Sequence, residues 1–99
     1  DLYEQKKHST EILGYLAWYI RIMQKIVFCK KQGTSDIGIS QELGYSPGYT
    51  NRLINQAREY PPKKIKKWVT LILETDTGIK TGKIEAGLGI EMLVATLMK

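Results

Sequence analysis

Apolar residues recur along most of the chain at intervals of three and four, the spacing of one face of an α-helix. No stretch shows the two-residue alternation that is typical of a half-buried strand. Segments rich in glycine, proline and serine interrupt the helical pattern at 33–35, 44–47, 60–62 and 82–83. The pattern therefore predicts an all-α protein, folded as a compact bundle of about five helices.

The first ten residues are predicted to form a separate piece. Residues 1–6 are typical of the end of a helix, and His8 to Glu11 are predicted to form a loop. A long helix then follows from about Thr10 to Lys31, with Ser9 or Thr10 as its N-cap. We therefore divide the chain into a tail and loop over 1–9 and a helical domain over 10–99. The remaining helices are predicted at about 36–43, 47–59, 63–81 and 85–98.

Capping residues mark both ends of the second predicted helix and the start of the third. Ser35 is of the type that accepts a hydrogen bond at a helix start, and Gly44 is suited to the left-handed residue that follows a helix. Ser46 followed by Pro47 repeats the start signal, because proline is favoured at the first helical position.

The long helix carries two apolar stripes, although a surface helix needs only one. The main stripe is Ile12, Leu16, Tyr19, Ile20, Met23, Ile26 and Val27, and the second is Tyr15, Trp18, Ile22 and Cys29. The second stripe either joins the core or contacts a partner, and large aromatic residues are typical anchors of such contacts. The last helix is apolar nearly all round, which also indicates burial against a neighbour. We take Tyr15, Trp18, Ile22 and Leu97 as candidate interface residues.

Composition indicates one ordinary globular domain. The chain has 99 residues, of which 42% are hydrophobic and 25% charged, and 15 basic against 10 acidic residues give a net charge of +5. This excess permits contact with nucleic acid without requiring it. No uninterrupted apolar run approaches the roughly 18 residues of a membrane span, so no membrane association is expected. Because the chain begins with Asp1 and not Met, we expect it to be a piece of a longer protein.

No catalytic constellation stands out. One cysteine, Cys29, and one histidine, His8, cannot make an internal disulfide or a histidine–cysteine zinc site. Glu74 and Asp76 fall on different sides of one predicted helix, and the phosphate-binding pattern G-x-x-x-x-G-K-[ST] is absent from the sequence. We therefore expect no enzymatic activity, no cofactor and no metal in this chain.

Residues 35–60 have the spacing of a DNA-binding helix–turn–helix. In that interpretation the second helix offers Tyr49, Thr50, Asn51 and Arg52 to a groove of DNA. However, this helix begins with proline and glycine where polar residues are often found. The alternative is that the two helices only pack within an all-α domain.

Two charged features of the fourth predicted helix have similar pairs of interpretations. The four lysines of 63–67 are able to hold phosphates, but they stand in a first helical turn, where the dipole disfavours cations, and a solvent-facing run is the alternative. Asp76 falls within an apolar stripe, with Lys80 four residues later in the favourable acid-first order. We predict a structural ion pair between Asp76 and Lys80, the alternative being an interface or ligand role.

From about Gly14 to Lys99 the chain resembles the C-terminal domain of the delta subunit of bacterial DNA polymerase III, a subunit of the clamp loader. Three stretches carry the resemblance: LGYLAWYIRIMQKI, ISQELGYSPGYTNRLINQAREY and LILETDTGIKTGKIEAGLGIEMLVATL. The last is the most specific. It resembles the family's Asp-x-x-x-Lys-[ST]-Gly signature, which falls here on Asp76, Lys80, Thr81 and Gly82.

The resemblance implies a cytoplasmic, non-catalytic oligomerisation domain of the clamp-loader collar type. Such a domain joins the other clamp-loader subunits in a hetero-pentameric collar, while the sliding clamp is gripped only through an N-terminal module outside these residues. The associated enzyme name, DNA-directed DNA polymerase, belongs to the parent holoenzyme. A helix–turn–helix DNA-binding regulator that uses residues 35–60 remains the alternative. For the collar interpretation we expect weak DNA binding without sequence preference.

Overall fold

The computed structural model describes residues 2–98 and is all-α over that range, as predicted. Its five helices are α1 (Leu2–Lys31), α2 (Asp36–Leu43), α3 (Pro47–Arg58), α4 (Pro62–Lys80) and α5 (Ala86–Leu97). The last four begin and end within about one residue of the bounds predicted from the apolar spacing and the interrupting residues.

Helix α1 begins far earlier than predicted, and the predicted loop over His8 to Glu11 is wrong. A single helix runs without interruption from Leu2 to Lys31, so the boundary proposed at residue 9 falls inside it. Ser9 is 5% exposed and begins a buried face that continues through Leu13. Hydroxyl residues are good N-caps, but no glycine or proline precedes Gly14 to break the helix, and burial against the bundle favours its continuation.

The caps predicted for α2 and α3 are confirmed, whereas Ser9 and Thr10 lie inside α1 and do not cap a helix. The Ser35 hydroxyl accepts a hydrogen bond from the Gly38 N–H at 3.1 Å, and the Ser46 hydroxyl accepts one from the Tyr49 N–H at 3.3 Å. Gly44 closes α2 with φ 77°, a left-handed conformation that glycine adopts without steric strain. These local interactions fix the direction in which the chain enters and leaves each helix.

Helix α1 is the support on which the other helices pack. Helices α2 and α3 form one hairpin and α4 and α5 another, and each of these four helices also contacts α1. Within residues 2–98, no helix of the first hairpin packs directly on a helix of the second. The domain measures 46 × 25 × 20 Å, its long dimension matching a helix of 30 residues at about 1.5 Å per residue.

The core follows the length of α1. Its centre is Met23, which has no exposed surface, together with Ile26. Both hairpins contribute to it, with Ile39, Leu53, Ile54 and Ala57 from the first and Ile65, Trp68, Ile72, Ile79, Ile90 and Leu93 from the second. Because Ile22 and Cys29 are also buried in this core, the second stripe of α1 is divided between core and surface.

Part of α1 also meets a simple criterion for a membrane span. Over Lys7–Lys31 the helix reaches a mean hydropathy of 1.3, which is long and apolar enough to cross a membrane by length and composition alone. The expectation that no such segment exists is wrong by this measure, because an average over 18 residues tolerates polar residues that interrupt an apolar run. The packing of α1 against all four other helices is that of a core helix.

Candidate functional site

The residues of the Asp-x-x-x-Lys-[ST]-Gly signature form the end of α4. Lys80 Nζ lies 2.9 Å from Asp76 Oδ2, and the two side chains are 71% and 33% exposed. The face that carries Asp76 is less buried than its apolar pattern indicates, since Leu73 on the same helix is 61% exposed. The pair therefore lies at the edge of the core and not inside it.

This placement makes the pair energetically modest. Replacing Asp76 with asparagine is expected to lower the free energy of unfolding by less than about 1 kcal/mol, because Lys80 stays hydrated and is not left buried without a partner. Urea unfolding of both proteins measures the difference. A loss of 2 kcal/mol or more would contradict the half-exposed geometry and indicate a buried charge.

The rest of the signature builds the corner between α4 and α5. Gly82 has φ 77° and its N–H donates to the Ile79 carbonyl at 3.2 Å. The Ile84 N–H then donates to the Gly78 carbonyl at 3.0 Å, which turns the Ile84 side chain onto the helix. A Cβ added to Gly78 would lie 2.3 Å from Ile84 Cδ1, and one added to Gly89 would lie 2.9 Å from Ile84 Cγ2. Ile84 is therefore seated on two glycines, one from each helix.

Glu85 completes the corner by capping α5. Its two carboxylate oxygens accept hydrogen bonds from the N–H groups of Leu88 at 2.8 Å and Gly87 at 2.9 Å. These bonds from Leu88 and Gly87 hold the pKa of the Glu85 carboxyl below its ordinary value. The chemistry of the signature region is thus that of helix termination and capping.

Four aromatic side chains join α1 to the turn between α2 and α3. Trp18 Nε1 donates to Tyr45 Oη at 3.2 Å, and the two rings meet edge to face at 6.4 Å between centroids. Tyr15 lies 5.7 Å from Trp18 and Tyr49 lies 5.4 Å from Tyr45, measured in the same way. This aromatic cluster of Tyr15, Trp18, Tyr45 and Tyr49 fixes Trp18 in a half-buried position and leaves Tyr15 62% exposed.

The four candidate interface residues do not form one surface. Tyr15 and Trp18 are brought together in the aromatic cluster, whereas Ile22 is 6% exposed and belongs to the core. Its assignment as an interface residue is therefore corrected: helix α1 turns this position toward the bundle, where no partner reaches it. Leu97 is half-buried at the end of α5 and packs on the core from that helix.

A larger apolar surface lies on α5, at positions the sequence did not single out. Gly89, Ile90 and Leu93 face the bundle, and the opposite side of the helix is open to solvent. Leu88, Met92, Val94 and Met98 are 53%, 61%, 37% and 82% exposed. We call these four residues the α5 outer face. The apolar character of the helix was visible in the sequence, but only the packing decides which positions remain uncovered.

The helix–turn–helix residues are divided in the same way. Asn51 and Arg52 are exposed and Tyr49 is 41% exposed, but Thr50 is 1% exposed, and its hydroxyl has no hydrogen-bond partner within the described residues. The assignment of Thr50 as a DNA contact is wrong, because α3 packs this position on the core. A recognition helix would need the first turns of that face to be free.

No metal centre is apparent in residues 2–98, where no group of three or more histidine, cysteine, aspartate or glutamate side chains is placed to hold an ion. Cys29 is a free thiol, buried in the core. The described surface is therefore characterised by apolar and basic patches and not by reactive groups.

Comparison with protein families decides the assignment. The family model for the C-terminal domain of the DNA polymerase III delta subunit matches residues 1–97. The chain belongs to this family. Comparisons with curated proteins and with solved structures gave no match. Membership places the chain among domains of the DNA polymerase III clamp loader.

Proposed function

We propose that this chain is the oligomerisation (collar) domain of a clamp-loader delta subunit. It helps to assemble the complex that loads the sliding clamp during DNA replication. The observation that carries the proposal is the α5 outer face, four exposed apolar side chains on a helix that packs only on α1 and α4 among the described helices.

The outer face of α5 is not explained by the fold of the domain. The inward side of the helix already supplies Gly89, Ile90 and Leu93 to the core. Leu88 and Met92 stand one turn apart on the opposite side and are both more than half exposed. Exposed apolar surface on one helix is typical of protein–protein contacts. Removal of these side chains from water by a neighbouring domain is the favourable term that would drive association.

A second contact is assigned to the aromatic cluster. Tyr15 is exposed, and Trp18 is held in one orientation by its hydrogen bond to Tyr45. A pre-ordered aromatic surface loses little side-chain entropy on binding, which is the property of an anchor residue. Leu97, half-buried in the last turn of α5, is also proposed as an interface residue.

Family membership supports the choice of partners. The domain would join the other clamp-loader subunits in a hetero-pentameric collar, in the cytoplasm, and would reach the sliding clamp only through an N-terminal module outside these residues. It would carry out no catalysis itself. DNA binding by the domain is expected to be weak and without sequence preference, because Thr50 is buried, the first turn of α3 holds Pro47 and Gly48, and the net charge is only +5.

The double substitution of Leu88 and Met92 by serine tests the proposal. We expect it to weaken assembly with the other clamp-loader subunits at least tenfold, measured by sedimentation or size-exclusion of the reconstituted complex. Thermal melting of the variant should change little, because both side chains are exposed. The matched control is Ile37→Ser on α2, where the isoleucine is 66% exposed on a different helix. Assembly that is unchanged in the double variant, or equally weakened in the control, would contradict the proposal.

A further inference from the structure

A groove separates the two hairpins of the domain. Helices α3 and α4 do not pack on each other, and α1 forms the floor between them. The groove has a volume of about 380 Å³, and its floor is made by the apolar side chains of Ile26, Val27, Ile54 and Ala57. Tyr60 and Pro62, from the connection between α3 and α4, close one end.

The rim of this groove is basic. Lys30, Lys31 and Arg58 line it, and a second cavity of about 280 Å³ continues from it past Val27, Lys31 and Pro62 to Lys66. No carboxylate lines either cavity within the described residues. Three segments far apart in the sequence therefore place four cations around one apolar trough.

Most of these cations are not in an ion pair. The ion pairs of residues 2–98 are Lys30 with Asp36 and Lys80 with Asp76, so Lys31, Arg58 and Lys66 have no carboxylate within ion-pair distance in that range. Arg58 donates to the neutral amide of Asn55 at 3.4 Å, and Asp36, which pairs with Lys30, interacts with it over a longer distance. An anion at this end of the domain would be attracted by the remaining excess of positive charge.

The start of α4 adds to this field. Its first turns carry the lysines of 63–67, although cations are unfavourable next to the positive end of a helix dipole. Pro61 provides no side-chain cap to offset the dipole. Lys64 lies over the rings of Tyr60 and Trp68, at 6.0 and 5.5 Å from their centroids, and so stays near the groove. This concentration of positive charge disfavours the free domain and favours one that has bound an anionic partner.

We propose that the groove between α3 and α4 binds an acidic amphipathic peptide segment of a partner protein. One or two apolar side chains of the segment occupy the floor, and its carboxylates meet Lys31, Arg58 and Lys66 on the rim. The aliphatic floor favours a peptide over a nucleic acid, because bases stack on open aromatic faces. Tyr60, the aromatic residue that lines the 380 Å³ groove, is already packed edge to face on Trp68 at 4.7 Å, and the exposed Phe28 lines only the second cavity. This surface is separate from the α5 outer face.

The test uses the 99-residue chain and a capped, fluorescent hexapeptide of sequence Asp-Glu-Leu-Phe-Glu-Asp, titrated by fluorescence anisotropy. A second peptide with serine in place of leucine and phenylalanine keeps the charge and removes the apolar side chains. We expect the first peptide to bind at least tenfold more tightly than the second, and binding to weaken as salt is raised from 50 to 300 mM. Equal binding of the two peptides, or no binding of the first, would overturn the proposal.

The residues are tested by Lys31→Gln/Arg58→Gln, which should weaken binding of the first peptide at least tenfold. The control Lys7→Gln/Lys83→Gln makes the same change in net charge at exposed positions away from the groove and should leave the affinity within twofold. A single-stranded oligothymidylate is titrated in parallel. Tighter binding of the oligonucleotide than of the peptide, with the same dependence on Lys31 and Arg58, would assign the groove to nucleic acid instead.

The Leu88→Ser/Met92→Ser variant separates the two proposals. It should bind the peptide normally even though it assembles poorly. If the peptide does not bind but the α5 substitutions weaken assembly as expected, only the groove proposal is overturned. Failure of the assembly test with intact peptide binding would overturn only the collar proposal.

Discussion

Replacing Trp68 with alanine is expected to lower the free energy of unfolding by about 3–5 kcal/mol, the range of a core tryptophan truncation. Trp68 is 8% exposed, and its ring packs edge to face on Tyr60 at 4.7 Å between centroids. The substitution removes a large apolar side chain from the place where the connection between α3 and α4 meets the core. Since small domains are stable by only about 5–15 kcal/mol, much of the chain should be unfolded in mild urea.

The matched comparison is Trp18→Ala. Trp18 is only half-buried. Its replacement removes one hydrogen bond to Tyr45 and the ring contacts with Tyr15 and Tyr45. We expect this variant to lose clearly less stability than Trp68→Ala, in urea titrations followed by circular dichroism. We also expect it to weaken assembly with the other clamp-loader subunits. An equal or larger loss of stability, or normal assembly, would make Trp18 a core residue and leave the partner surface to α5.

The second large effect is expected at the corner between α4 and α5. Gly78→Ala places a methyl group 2.3 Å from Ile84 Cδ1 and 2.8 Å from Ile84 Cγ1, so the isoleucine must move. Movement is restricted because Ile84 also rests on Gly89. We expect a loss of about 1–3 kcal/mol in the free energy of unfolding. The loss should exceed the gain of roughly 0.5–1 kcal/mol that alanine brings over glycine in a helix.

Gly14 provides a control for helix propensity. A Cβ at Gly14, exposed on α1, meets nothing within 4 Å, so Gly14→Ala is expected to stabilise the chain by about 0.5–1 kcal/mol. The opposite signs of the two glycine substitutions, measured by chemical denaturation, identify the contact with Ile84 as the cause. Adding Ile84→Ala to Gly78→Ala should make the glycine substitution nearly neutral. If Gly78→Ala alone stabilises the protein, the corner is looser than the structure indicates.

The parts of the fold that depend on neighbouring residues could be predicted from the sequence. Ser35, Gly44 and Ser46 act through hydrogen bonds and backbone angles within one turn, so their roles follow from residue type and position. The bounds of α2 to α5 are set by such signals. The start of α1 is the exception, because Ser9 and Thr10 are good caps whose signal is overridden when the preceding residues remain helical.

The division of an apolar face between core and surface could not be predicted in the same way. Tyr15 and Ile22 lie on one flank of α1, and only the packing of the other helices on α1 makes one exposed and the other buried. The sequence pattern likewise predicts Thr50 on a DNA-facing surface, because it does not show which side of α3 is buried. Its burial depends on how α3 is rotated against α1, which no local pattern encodes. The α5 outer face was visible as excess apolar character, but its residues were not.

The basic groove is harder still to predict from the sequence. Lys31, Arg58 and Lys66 belong to three helices, and only the run of 63–67 stands out in the chain. Their convergence depends on the gap between the hairpins. The spacing of apolar residues along the chain does not predict such a gap, because the gap arises between helices that do not contact each other.

Both hairpins pack on α1, so the domain consists of two lobes, the α2–α3 hairpin and the α4–α5 hairpin, on one shared central helix. The lobes are otherwise joined by the short connection from Tyr60 to Pro62 and by the ring contact of Tyr60 with Trp68. Rotation of one lobe about α1 would disturb little packing between the lobes, because none of their helices interlock. The spacing of α3 and α4 is therefore not fixed by direct packing between these two helices. A neighbouring domain bound to α5 would hold the α4–α5 hairpin. The position of the α2–α3 hairpin would then set the width of the groove between α3 and α4.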